Sequence, residues 1–277
     1  MHKTFGFHTA PFGKDLDPQA LFTAPAYQEA LARLLHTATH RRTRLLTGEV
    51  GSGKSTLLRA LRSRLDQTVY EVIYLSDTQM TPRTFYQQLL ETLRVEVPYL
   101  LGKARRLAQE TLLERFRHQR TPVLLVDEGQ TLSAAVLETV RGLMILEFDA
   151  LNPFALVLAG GPELARRLRL TSFEALSQRI DLRYYLSPLE PEESAAYIRH
   201  HLKVVGADRE IFTDEALRRL HQLTGGIPRR LNHAAYTCLL AAAKHGRTLI
   251  DDGWVDQLTA EFDGAEPSGS RNRWQIA

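Results

Sequence analysis

The nine residues Gly48-Glu49-Val50-Gly51-Ser52-Gly53-Lys54-Ser55-Thr56 constrain this chain more than any other segment. They fit the pattern G-x-x-x-x-G-K-[ST] and lie between a strand-like run, Arg44–Thr47, and a stretch, Ser55–Leu65, whose apolar spacing predicts a helix. A glycine-rich turn in that setting lets backbone N–H groups point inward around a phosphate, and the helix N-terminus adds its partial positive charge. Lys54 can then bridge the β- and γ-phosphates of a nucleoside triphosphate, and Ser55 can ligate Mg²⁺.

Some seventy residues on, Val123-Leu124-Leu125-Val126-Asp127-Glu128 is a short apolar run, as expected of a strand buried on both faces, and it ends in two acids. At the sheet end where the phosphates lie, Asp127 would hold Mg²⁺ and Glu128 would deprotonate the attacking water, so the two motifs together imply ATP hydrolysis. Phe154–Ala159 repeats the buried-strand pattern, and Val69–Leu75 is β-rich. Helical spacing runs through Tyr27–His40, Thr84–Leu93 and residues 104–118. Strands alternating with helices predict an α/β fold with a largely parallel sheet.

After Leu186 the pattern turns helical, over 191–204, 213–224, 228–245 and 252–262, with Gly225-Gly226 as a stop signal before Pro228. The expected division is an α/β nucleotide-binding core at 1–187, a helical lid domain at 188–263 and a loose tail at 264–277.

Composition excludes several classes. With 44% apolar residues in 277, the chain is long enough for a substantial core. It has no run of about 18 apolar residues that a membrane span needs and no signal-peptide core, so a cytoplasmic protein without membrane contact is expected. The single cysteine, Cys238, excludes an internal disulfide, and the histidines lack zinc spacing. Residues 1–250 carry 33 bases against 26 acids, a balance that permits nucleic-acid binding without proving it.

The phosphate loop, the Asp-Glu strand, Gly161-Pro162-Glu163-Leu164, Leu176-Ser177-Gln178-Arg179-Ile180 and Gly226-Ile227-Pro228-Arg229 together resemble the AAA+ ATPases of the ExeA/GspA group, over about residues 5–250. The resemblance implies an AAA+ P-loop NTPase core with a small C-terminal helical lid, using ATP and Mg²⁺. It makes Arg179 the arginine that reaches a neighbouring subunit's γ-phosphate, and Arg229 the one that contacts nucleotide in its own subunit, with Arg230 as the fallback. Phe5-Gly6-Phe7 and Pro11-Phe12 resemble an aromatic entry near the adenine, a role that core packing rivals evenly. One departure stands out: the group usually places a polar residue after the strand beside the Asp-Glu strand, whereas this chain reads Ala159-Gly160-Gly161-Pro162. No side chain there polarises water, so slow or partner-dependent turnover is expected.

Secretion ATPases of the group carry a membrane span and a periplasmic segment after this module, and the chain reaches Ala277 with neither. The expectation drawn from this is a transposition regulator like MuB, IstB, TniB or TnsC. Such a protein assembles as a ring or filament on double-stranded DNA in the ATP state and recruits a transposase, with a target-selector protein as a possible further partner. The alternative is a secretion-associated ATPase or a nucleotide-dependent protein-interaction switch. The DNA contacts expected are Thr81 and Arg83, which open a helix after a strand, and Lys103, Arg105 and Arg106, which begin a run of six bases and two acids ending at Arg120. A solvated helix face is the plain alternative for that run. Arg41-Arg42 and Arg166-Arg167 read as surface or intersubunit charges.

Overall fold

Continuous apolar strands demand cover on both faces, and the chain supplies it with helices between successive strands. The computed structural model describes residues 2–13, 22–145 and 152–259. The short α1 (His2–Phe5) is followed by α2 (Pro25–Thr39), β1 (Thr43–Gly48), α3 (Lys54–Arg64), β2 (Tyr70–Leu75), α4 (Pro82–Thr92), α5 (Leu101–Arg117) and β3 (Thr121–Val126). Next come α6 (Ala134–Leu143), β4 (Ala155–Gly160), α7 (Pro162–Arg167), α8 (Glu174–Ser177) and β5 (Leu182–Leu186). The helices α9 (Pro191–Val204), α10 (Asp214–Thr224), α11 (Pro228–Lys244) and α12 (Asp252–Gln257) complete the described chain.

The chain divides into two compact units, Pro25–Ser187 and Met1–Ala24 with Pro188–Ala277. In the first, five strands form a parallel sheet in the order β2-β3-β4-β1-β5. Leu45, Leu124, Val126, Leu156 and Leu158 project from its inner strands into one buried cluster with helix residues such as Phe85, Leu89, Leu112 and Val140. Each buried leucine of this kind contributes about 1.5–3 kcal/mol. The order matters for the site, because β4 runs between β1 and β3. At roughly 4.8 Å per strand, the ends of β1 and β3 are about 10 Å apart, with the end of β4 between them.

The helical unit has its own core. Leu217 and Leu220 of α10 pack with Ile198, Leu231, Leu239, Val255 and the buried Cys238, and Gly225 closes α10 in the left-handed conformation. Phe5 and Phe7, 1% and 3% exposed, belong to this core and lie 5.4 Å apart, stacked. His8 N donates to Val205 O and Arg209 to Thr4 O, which fastens the N-terminal segment to α9 and the loop after it. Residues 2–13 therefore group with the helical unit and not with the α/β core that a boundary at 1–187 implies, because Phe5 and Phe7 are helical-unit core. The region 260–277, including the expected tail and the end of the last predicted helix, lies outside the described residues. Among the described residues, no helix is long and apolar enough to cross a membrane.

Candidate functional site

The turn after β1 has a shape that only its own residues permit. Gly51 and Gly53 adopt φ of +87° and +100°, a region disfavoured for residues with a Cβ, and Gly53 is the N-cap of α3. A Cβ on Gly48 would sit 2.7 Å from Ser52 Oγ and 2.8 Å from Leu186 O. Lys54 is buried, and its Nζ donates to Gly48 O at 2.9 Å and Glu49 O at 3.0 Å, so the loop wraps its own cation. Glu49 accepts from Tyr185 Oη, while Val50 stands exposed at the tip. Ser52 Oγ is buried and has no hydrogen-bond partner among the described residues. A buried hydroxyl left unpaired costs free energy that a ligand's oxygen would recover.

Asp127, 2% exposed, is the next fixed point. Its Oδ2 accepts from Ser55 Oγ at 2.7 Å and from Tyr74 Oη at 3.0 Å, and its Oδ1 accepts from the Glu128 N–H at 2.8 Å. Ser55 and Asp127 come from elements 72 residues apart and form a pair of hard oxygen donors, the chemistry that suits Mg²⁺. Tyr74, at the penultimate position of β2, was not foreseen from sequence. Burial and the Asp127 carboxylate push its phenol up to about 12, so it remains a proton donor to Asp127. Its only sequence signal is a polar tip on the strand next to the Asp-Glu strand.

Glu128 sits at φ +53°, a costly position for a residue with a long side chain. The turn is held by Gly129 N to Ala159 O at 2.8 Å and by Thr131, whose N and Oγ1 both donate to Glu128 O. Gln130 Nε2 donates to Glu128 Oε2 at 2.5 Å, and Gln130 Oε1 accepts from Gly161 N at 2.7 Å. The segment Ala159–Pro162 itself offers no polar side chain, as expected, and the Gln130 amide reaches the end of β4 from the loop after β3. Arg167, expected as a surface or intersubunit charge, donates to Gln130 O at 2.8 Å and lies 5.6 Å over the Phe173 ring.

The structure thus brings together Gly48 to Thr56, Asp127 and Glu128. Arg179 lies half-buried on the turn after α8, its N–H donating to Leu176 O. Arg229 is exposed at the second position of α11, in the helical unit. Of the expected DNA contacts, Thr81 is the N-cap of α4, accepting from Thr84 N, and Arg83 donates to Tyr99 O and lies 5.1 Å over the Tyr99 ring. Arg106 pairs with Glu110, the Arg105 guanidinium lies against Gly142, and Lys103 is exposed near the start of α5. Thr81, Arg83 and Arg106 therefore already make polar contacts within the chain, while Lys103, Arg105 and Arg106 are exposed on α5.

A family profile described as an AAA domain matches residues 37–168, which contain the loop, β3 and β4. General secretion pathway protein A of Aeromonas hydrophila is 35% identical over 276 residues, a match covering 98% of this chain and 49% of that protein. The chain spans about half the length of this curated relative. Among solved structures, Cdc6p from Pyrobaculum aerophilum matches with a TM-score of 0.67 at 18% identity, over 85% of this chain and 68% of that one. Drosophila ORC bound to DNA matches with a TM-score of 0.67 at 17% identity, over 92% and 69%. Domain III of the replication initiation protein DnaA of Thermotoga maritima reaches 0.59 at 20% identity, over 91% and 98%. At these identities the structural likenesses show a shared fold.

Proposed function

We infer, for a chain that belongs to the AAA+ ATPases of the ExeA/GspA group, that it binds Mg–ATP at Gly48–Thr56 and hydrolyses it with Glu128 as the general base. The observation that carries this reading is the 2.7 Å bond from Ser55 Oγ to Asp127 Oδ2, which joins the phosphate loop to the Asp-Glu strand with Glu128 as the next residue. Ser52 Oγ, the loop N–H groups and Lys54 Nζ would take the phosphate oxygens, Lys54 exchanging its carbonyl partners for them. Ser55 and Asp127 would hold Mg²⁺, which neutralises charge on the β- and γ-phosphates when bound. Tyr74 keeps the Asp127 carboxylate turned toward Ser55. Arg179 supplies a cation from a neighbouring subunit, the role the family resemblance gives it.

The use of that hydrolysis is best read from the secretion-pathway relative. The ATPase acts as a nucleotide-driven module on a protein partner in secretion, and the transposition reading that the sequence favoured is the weaker of the two. It leaned on the chain reaching Ala277 without a membrane span, and a match to about half of a longer relative removes the force of that observation. Filter binding of duplex DNA at several salt concentrations, with a non-hydrolysable ATP analogue and with ADP, tests the choice. The secretion reading expects no ATP-dependent retention. Retention that depends on ATP, falls steeply with salt and is lost in a Lys103→Glu/Arg105→Glu variant would restore the transposition reading.

A further inference from the structure

A general base works only when its carboxylate is held where the water lies, and a glutamate has three side-chain torsions to fix. In this chain the end of β4, between β1 and β3, is Gly160-Gly161 and offers no side chain. Gln130 crosses to it. Gly161 N–H can pair only with the oxygen of the Gln130 amide, which leaves the NH₂ group facing Glu128 Oε2. The backbone of Gln130 is tied separately, by Arg167 to its carbonyl, and its neighbour Gly129 is tied to Ala159. The crossing depends on the missing side chain. A Cβ on Gly160 would stand 2.8 Å from Gln130 Oε1 and 3.2 Å from Gln130 N, and one on Gly129 would stand 2.8 Å from Leu164 Cδ2 and 3.0 Å from Ala159 O.

We propose that Gln130 is the positioning residue for Glu128, reaching from the loop after β3 to the glycine end of β4 and aiming one amide N–H at the carboxylate. The proposal rests on the reading of Glu128 as the base. It makes Gly129, Gly160 and Gly161 parts of one device, in which small residues admit a clamp that a side chain on β4 would exclude. Gln130 touches neither substrate nor metal in this role; it acts through Glu128.

The test compares the full chain with Gln130→Ala, Gln130→Glu and Gly160→Ala, measuring kcat, KM, affinity for a fluorescent ATP analogue and the melting temperature. Gln130→Glu retains an oxygen for Gly161 N and the size of the side chain, but presents Glu128 with an acceptor in place of a donor. The expected result is a fall in kcat of about 10- to 100-fold in all three, with analogue affinity within about 2-fold of the parent. Adding Gln130→Ala to Glu128→Gln should cause no further loss, because the residue acts only through that carboxylate. An unchanged or increased kcat in Gln130→Ala and Gln130→Glu overturns the proposal. So does a loss of analogue affinity and melting temperature that runs parallel to the loss of turnover, since that marks a merely structural residue. Full turnover in Glu128→Gln overturns the base assignment itself, a failure distinguishable from the others because it appears without touching Gln130.

Discussion

The backbone at Glu128 predicts an inverted order of stability. At most positions glycine is worse than alanine, because it leaves the unfolded chain more freedom, a difference of about 0.4–1 kcal/mol. At φ +53° the alanine Cβ faces the left-handed penalty of about 1–2 kcal/mol, which glycine avoids. Both Glu128→Gly and Glu128→Ala remove the carboxylate and its bond to Gln130, so those losses cancel between them. What remains favours glycine by up to about 1.6 kcal/mol, with a central value of about 0.8 kcal/mol. For a unit of this size, that raises the melting temperature of Glu128→Gly above that of Glu128→Ala by about 1–4 °C. Thermal unfolding followed by far-ultraviolet circular dichroism, without nucleotide, gives the comparison. An alanine variant equal to or more stable than the glycine variant would refute the claim that strain is stored at this residue.

Three further outcomes follow from the same geometry. Lys54→Ala should abolish ATP binding, whereas Asp127→Asn should bind ATP with little response to Mg²⁺; titrating a fluorescent analogue with and without the metal separates them, and equal metal responses would contradict the assignment. If Arg179 completes a neighbour's site, mixtures of Arg179→Ala and Glu128→Gln subunits should exceed either alone in turnover, while no gain in any mixture that still assembles removes the trans role. Burial first, and then His200, push His201 down to about 4 in the folded chain, from an ordinary value near 6.5. The unfolded state then binds more protons between those values, so stability falls by up to about 3 kcal/mol as pH drops from 6.5 to 4. Acid unfolding of His201→Phe should lose most of that slope, and an identical slope would show that other groups carry it.

How much of this was legible depends on the kind of signal each residue leaves. Strands β3 and β4 are buried on both faces and carry unbroken apolar runs, and β1 reads as a short strand-like run before the glycine cluster, so their place in a parallel sheet followed from sequence. Strand β5 was missed, because Leu-Arg-Tyr-Tyr-Leu at a sheet edge leaves Leu182 and Tyr185 exposed and breaks the pattern. Helix α6 went unnoticed although Ser133 caps it, since its apolar residues follow the acids so closely that the loop masked the start. The phosphate loop and the Asp-Glu pair were readable because their chemistry demands residues at fixed local spacing. Gln130 and Tyr74 were not, because each acts through a contact to another strand's end that local spacing does not show, and only register brings Tyr74 beside Leu125 and Ala159 beside Leu46. Phe5 and Phe7 could equally have met an adenine or a core by sequence, and their burial with Ile198 and Leu202 decides for the core.

The reading of Glu128 as the base of an ATP-hydrolysing site is tested most directly by single-turnover hydrolysis of radiolabelled ATP, measured beside ATP affinity, in the parent chain and in Glu128→Gln. The expected result is unchanged affinity with hydrolysis slowed by about 10²–10⁴. Hydrolysis by Glu128→Gln at the parent rate, or a parent chain that binds Mg–ATP and never cleaves it even when assembled, would contradict it.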